Sequence, residues 1–203
     1  MNIAIVGATG NVGTRIVEEA LRRGHRVTGI SRNPERLDRR EGLQPVSGDA
    51  HQPERLAPLL ADHDAVVSAL PFLHSDPAQL VAAVRASAVS RYLVVGGAGS
   101  LEVAPGQHNI DQPGFPAFAK AEAGKGKKFL DYLRGVHDLE WTFLSPSSLF
   151  TAGERTGVFR LGKDALLTGK DGKSWISYED YAVALLDEIE RPQHIRERFT
   201  VGY

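Results

Sequence analysis

Three glycines at positions 7, 10 and 13 of the run GATGNVG follow the apolar stretch NIAIV, and their spacing points most directly to a ligand. In a strand–turn–helix unit the first glycine permits a sharp turn and the second lets backbone amides approach phosphate. The third lets helix and strand pack closely, and the helix N-terminus meets the negative charge. The chemistry would be capture of a dinucleotide pyrophosphate. The spacing is G-x-x-G-x-x-G rather than G-x-G-x-x-G, and three glycines alone are a weak motif. Context strengthens it: the turn follows a strand pattern, opens an amphipathic helix and precedes a second strand at a suitable distance.

The end of that second strand reads GISRN, with Ser31 and Arg32 where an NAD site usually carries Asp or Glu for the ribose 2′-hydroxyl. A carboxylate would repel a 2′-phosphate, whereas an arginine can pair with it. NADP(H) is therefore favoured over NAD(H), the bland alternative being that Arg32 is a solvated charge before NPER. Asp49, in SGDAHQPERL, ends the third strand, where it could bond an adenine amino group or cap the following helix.

These positions need a frame. Short apolar runs alternate with helical patterns, the mark of a parallel sheet covered by helices on both faces. Strands are expected over residues 2–6, 26–30, 44–47, 65–69, 92–95 and 141–144. The first helix carries Val12, Ile16, Ala20 and Arg23 along one side, with Val17 and Leu21 widening the stripe and Gly24 placed to stop it. A second helix is expected to open at NPERL with Pro34 in its first turn. QPERLAPLL predicts a third, short or broken at Pro58, and SDPAQLVAAVRAS a fourth. The stretch from Gly96 to Phe118 holds five glycines and three prolines, which predicts a long loop, functional or mobile, before a lysine-bearing helix over 117–134. Beyond it, VFRLGKDALLTGKDGKSWIS reads as strands around a turn at Asp171-Gly172. Ser177 and Asp180 resemble a capping box for a last helix whose stripe is Ala182, Leu185, Leu186 and Ile189. One domain spanning 1–203 is expected, with 151–203 as a small C-terminal appendage on the substrate side.

Composition narrows the function classes. The 203 residues suit one compact domain rather than a nucleotide domain plus a separate substrate domain. The 24 basic and 25 acidic residues nearly cancel, so nothing argues for nucleic acid or a membrane surface as partner. A small molecule is the expected ligand, bound by a monomer or homodimer. Cysteine is absent, which excludes disulfides, thiol catalysis and cysteine ligation and suits a reducing cytoplasm. The N-terminus lacks a signal-peptide pattern and no segment approaches a membrane span, so a cytoplasmic protein is expected. The seven histidines show no metal-binding spacing and no G-x-S-x-G elbow occurs, so neither a metal nor hydrolase chemistry is expected.

GATGNVG, SRNPERL, GDAHQPERL, VVSALPF and YLVVGGAGSLE, in that order, resemble the atypical NAD(P)H-binding members of the short-chain dehydrogenase/reductase superfamily. The later stretches LEWTFLSPSSLF, ERTGVFRLGKDALL and GKSWISYEDYAVAL are similar to small bacterial NAD(P)H-binding proteins related to NmrA-like regulators and to biliverdin and flavin reductases. The resemblance implies a Rossmann-type, doubly wound α/β sheet of strand order 3-2-1-4-5-6. It implies that Gly7, Thr9, Gly10, Asn11 and Val12 hold the pyrophosphate, with Ser31 and Arg32 at the adenosine ribose and Asp49 and Ala50 at adenine. Ala69, Leu70 and Pro71 would line the cofactor, while Gly96, Gly97, Ser145, Pro146 and Ser147 would approach its nicotinamide half.

The chain departs from the main branch of that superfamily, which uses a Tyr-x-x-x-Lys pair for proton exchange with the substrate oxygen. None of Tyr92, Tyr132, Tyr178, Tyr181 and Tyr203 has lysine four residues on; Phe118 and Ala119 occupy the expected tyrosine neighbourhood, and Lys120 stands without a partner. Ordinary alcohol or ketone chemistry is thereby put in doubt. A planar acceptor such as a quinone or flavin delocalises the incoming charge and can take its proton from water, so an oxidoreductase of that kind fits best. Phe72, Leu73, Phe115, Phe118 and Phe150 could supply apolar walls. Ser100 could bond a ring oxygen, Lys120 could touch ribose or substrate, and His108 could donate a proton near neutral pH. The alternatives are a catalytically silent NADP(H)-sensing module and an isomerase or epimerase that recycles its cofactor.

Overall fold

Ile3, Ala4, Ile5 and Val6 are all buried, which a strand permits only when both faces of its sheet are covered. The computed structural model describes residues 1–203. In chain order it runs β1 (Asn2–Val6), α1 (Asn11–Arg22), β2 (Arg26–Ser31), β3 (Leu43–Ser47), α2 (Pro53–Leu60), β4 (Ala65–Ser68), α3 (Pro77–Ala86) and β5 (Arg91–Val95). A small hairpin follows, β6 (Glu102–Ala104) and β7 (Gln107–His108), then α4 (Lys120–Arg134) and β8 (Glu140–Ser145). The chain ends with β9 (Leu149–Thr151), β10 (Arg160–Gly162), β11 (Trp175–Ser177), α5 (Tyr178–Glu190) and β12 (Glu197–Gly202). The main sheet has the order β10-β12-β8-β5-β4-β1-β2-β3 and is parallel except for β10.

Side chains alternate across the sheet and build one core on each face. Ile3, Ile5 and Leu93 meet Ile16, Ala20, Leu185 and Ile189 of α1 and α5. Ala4, Val6, Tyr92 and Phe143 meet Leu56 of α2, Leu80 and Val84 of α3, and Phe129 and Leu133 of α4. The fold is thus Rossmann-type α/β, and its first six parallel strands lie in the expected order.

Several local expectations are corrected. NPERL forms only a 3-10 turn, Pro34–Arg36, because no apolar stripe follows it; Leu37 alone is buried there. QPERLAPLL is short, as expected, and unbroken, a single helix that accommodates Pro58. The glycine-rich segment is not a free loop: Glu102 N–H donates to the Asp164 carbonyl and Leu166 N–H to the Glu102 carbonyl, both at 2.8 Å. Gly172 does adopt a positive φ, +78°, in a turn closed by Gly169 N–H to Lys173 C=O at 2.7 Å, but the flanking strands do not pair with each other. β10 joins β12 and β11 joins β9. Residues 151–203 therefore divide: β11 completes a two-stranded ribbon beside the sheet, while α5 and β12 belong to the main layers.

A strap over residues 153–157 ties α1 to α5. Ser177 caps α5 by accepting the Asp180 N–H at 3.0 Å, but the Asp180 carboxylate does not return the capping-box bond. It takes the Thr156 and Gly157 amides instead, at 2.8 and 2.7 Å, and the Tyr203 hydroxyl at 2.7 Å. Arg155 then clamps the buried Glu19 of α1 through two bonds of 2.7 and 2.8 Å, and Arg23 adds a third at 2.8 Å. Burial alone would raise the Glu19 carboxyl; the bonds from Arg155 and Arg23 outweigh it and hold Glu19 below its ordinary value. A carboxyl lowered on folding contributes stability above its unfolded pKa, and that contribution disappears as pH falls through the native value. Glu19→Gln is therefore expected to cost roughly 1–3 kcal/mol in urea unfolding at neutral pH, with the gap to the parent protein closing on acidification. A gap of constant size across that range would contradict this role.

Candidate functional site

The turn after β1 is built where side chains cannot fit. Gly7 has φ +87°, and a Cβ there would lie 2.4 Å from the Ala69 carbonyl oxygen. A Cβ on Gly13 would lie 2.1 Å from the Gly7 carbonyl oxygen, so α1 starts in direct contact with the end of the strand. Gly10 differs: its nearest obstacle is the Gly7 oxygen at 3.3 Å. It is the N-cap of α1 and offers no capping side chain, so the first amides of the helix, which lack intrahelical partners, are left for another acceptor.

These amides face a groove of about 180 Å³ along the carboxyl ends of β1 to β4. Of the residues expected to hold a cofactor, Gly7, Thr9, Gly10, Ser31, Arg32, Asp49, Ala50, Ala69, Leu70 and Pro71 line it together. Asn11 and Val12 begin α1 beside it. Val6, Ile30, Gly48, His51 and His74 complete the lining and were not anticipated. Only His51 had a cue, its position two residues after Asp49: the Asp49 carboxylate accepts the His51 N–H at 3.0 Å, closing a local turn.

The polar groups fit a nicotinamide dinucleotide. Ser31 is 7% exposed, and its hydroxyl has no protein partner, so a buried donor and acceptor lines the groove unspent. Arg32 is the arginine that lines the groove, and no carboxylate pairs with it. A larger cavity of about 830 Å³ lies at the amino ends of β1 and β2, far from the glycine turn. Its histidines are already committed, His25 to Glu190 at 2.9 Å and His63 to the Thr28 hydroxyl at 2.8 Å.

The remaining expected residues scatter. Gly96 and Gly97 follow β5; Ser145 ends β8, next along the sheet, with Pro146 and Ser147 just beyond it. A Cβ on Gly96 would meet the Leu144 carbonyl oxygen and the Phe143 ring, both at 2.5 Å, so packing already demands glycine there. Ser145 is fully buried with an unpartnered hydroxyl, and Ser147 spends its hydroxyl on the Val201 carbonyl at 3.0 Å. Ser100 is buried against the Arg198 guanidinium, 3.4 Å away, which itself pairs with Asp164. His108 is half-buried on β7 with Nδ1 unpartnered, and Lys120 is exposed at the start of α4. Phe72 is a core residue rather than a wall, stacked 6.0 Å from Phe143 and edge-on 5.5 Å from Phe129. Phe150 packs 4.7 Å from both Tyr178 and Tyr181. Phe115 is half-buried, while Leu73 and Phe118 stand 51% and 91% exposed.

A parallel doubly wound sheet with a glycine turn and a groove at its carboxyl ends defines a dinucleotide-binding protein of Rossmann type. The chain belongs to the NAD(P)H-binding family, whose family model matches residues 7–192. YwnB of Bacillus subtilis is 39% identical over 99% of this chain and 98% of its own. A candidate epimerase from Bacteroides thetaiotaomicron shares 37% identity at a TM-score of 0.95, covering 100% of this chain and 96% of that one. A candidate NADH-flavin reductase from Streptococcus pneumoniae shares 35% identity at a TM-score of 0.84, covering 100% and 99%. No helix is long and apolar enough to cross a membrane.

The glycines separate stability from binding. Gly13→Ala is expected to cost at least about 1–3 kcal/mol by overpacking, read in thermal or urea unfolding. Gly10→Ala is expected to change stability by under about 1 kcal/mol yet weaken nicotinamide-nucleotide binding in a calorimetric titration. Unchanged binding by Gly10→Ala would contradict the cradle.

Proposed function

We propose that the protein is an NADP(H)-dependent oxidoreductase that reduces a planar acceptor such as a flavin or quinone. The observation that carries this reading is the condition of Tyr181. It is the phenol nearest the carboxyl ends of β5 and β8, and both of its hydrogen-bonding roles are taken. It donates to the Leu144 carbonyl at 2.7 Å and accepts the Gly96 N–H at 3.3 Å. Burial pushes its pKa well above the ordinary phenol value, and the same holds for Tyr92, whose hydroxyl meets Ser68 at 2.9 Å. Tyr203 is bound to Ser177 and Asp180. None of these three phenols is thus free to protonate a substrate oxygen; Tyr132 lies exposed on α4 and Tyr178 packs its ring on Phe150 at the start of α5, and an acceptor that can take its proton from water needs no phenol.

When bound, the cofactor supplies a hydride from its nicotinamide ring. The chain's own residues bind and orient. The start of α1 would hold the pyrophosphate, Ser31 the adenosine ribose, and Arg32 the 2′-phosphate through a charge-assisted, two-pronged contact. Leu73 and Phe118 would give a flat acceptor an apolar surface on which to lie. The hydrogen bond from Leu73 N–H to Glu122, four residues after Phe118, draws the loop bearing Leu73 to the start of α4. The identity shared with the candidate NADH-flavin reductase supports an acceptor of this class.

Two measurements test the proposal. Mixing the protein with NADPH and a flavin or quinone is expected to bleach the reduced-nicotinamide absorbance steadily. Binding without such consumption would replace the reductase with a cofactor-sensing module. Arg32→Ala is expected to weaken NADPH by about 1.5–3 kcal/mol, roughly tenfold or more, and NADH far less. Equal losses for the two nucleotides would overturn the 2′-phosphate assignment.

A further inference from the structure

Glu122 lies in the first turn of α4 and turns its carboxylate onto another element. Phe72 N–H donates to Oε1 at 2.6 Å and Leu73 N–H to Oε2 at 2.9 Å. These amides belong to the 3-10 turn Phe72–His74, which follows directly on Ala69, Leu70 and Pro71, one wall of the cofactor groove. His74, at the end of the same turn, lines the groove again. The loop is therefore gripped at its middle and exposed to the groove on either side of the grip.

The Phe72 ring anchors the same point from below. It packs on Phe129 and Phe143, and a Cβ on Gly126 would come within 2.8 Å of it. Ring and carboxylate act on one residue, the ring fixing its depth and the carboxylate fixing its backbone. Two converging N–H donors call for an acceptor on each side, which a carboxylate supplies. A glutamine amide has one acceptor and one NH₂ group, and the latter would confront an N–H.

We propose that Glu122 is a positioning residue for nicotinamide-nucleotide binding: by holding the Phe72 and Leu73 amides it sets where residues 69–71 stand against the cofactor. The proposal rests on the cofactor reading of the groove. Because the wall serves the part common to both nucleotides, loss of Glu122 weakens NADPH and NADH by the same factor, unlike loss of Arg32.

The test is calorimetric titration of Glu122→Gln with NADPH and with NADH, beside thermal unfolding of the same samples. The expected result is a loss of roughly tenfold in affinity for each nucleotide, equal within error, in protein that remains folded at the titration temperature. Wild-type affinity for both with only a lowered Tm would overturn the proposal and leave Glu122 a structural pin. Unequal losses would also overturn it by placing Glu122 at the 2′-phosphate end. Should Glu122→Gln fail to fold, Glu122→Asp keeps the charge one methylene short, and a smaller loss equal for both nucleotides is expected; unchanged binding overturns the proposal. The parent protein is titrated first, and its failure to bind either nucleotide overturns the cofactor reading itself, a result separate from any effect of the variants.

Discussion

Everything at the groove depends on one close approach, that of Gly13 to the carbonyl of Gly7. A helix can begin this near a strand end only if no side chain stands between them: a Cβ on Gly13 would fall 2.1 Å from the Gly7 carbonyl oxygen, while one on Gly7 would fall 2.4 Å from the Ala69 carbonyl oxygen after β4. The contact fixes where α1 starts and hence where its unpartnered amides aim. It also seats α1 against β1, so that Ile16 and Ala20 meet Ile3 and Ile5 in one core. Binding geometry and packing thus follow from the same two absent side chains.

The rest of the chain holds that start in place. The strap over 153–157 reaches α1 through Arg155 and α5 through Asp180, closing the helix layer on that face. On the opposite face, α4 grips the loop after β4 through Glu122 and the Phe72 ring. The groove therefore lies between two regions pinned by charge-assisted bonds, and the 96–118 segment is stitched to residues 164–166 rather than left free as a lid.

Elements whose burial follows from continuous apolar runs were legible in the sequence: β1, β4, β5 and β8 fall within a residue of their expected bounds. β12 was not, because Arg198 interrupts its apolar run. That arginine is buried with its charge met by Asp164, a partner 34 residues away that no local pattern announces. NPERL carried a helix start but no stripe to bury, so the start signal led nowhere. Asp171-Gly172 gave the turn correctly, whereas the partners of its strands are set by long-range packing. At the site, most of the residues expected around the pyrophosphate and adenosine converge on the groove. The aromatic wall was misjudged at Phe72, since hydrophobicity alone does not tell a core ring from an exposed one. Glu122 was invisible because its partners are backbone amides.

The measurement that bears most directly on the groove is a crystal structure of the protein soaked with NADP⁺. The expected result is a pyrophosphate against the amides at the start of α1, with the Ser31 hydroxyl bonded and the 2′-phosphate paired to Arg32. A nucleotide lying elsewhere, or a groove that stays empty at a saturating concentration, would contradict the assignment.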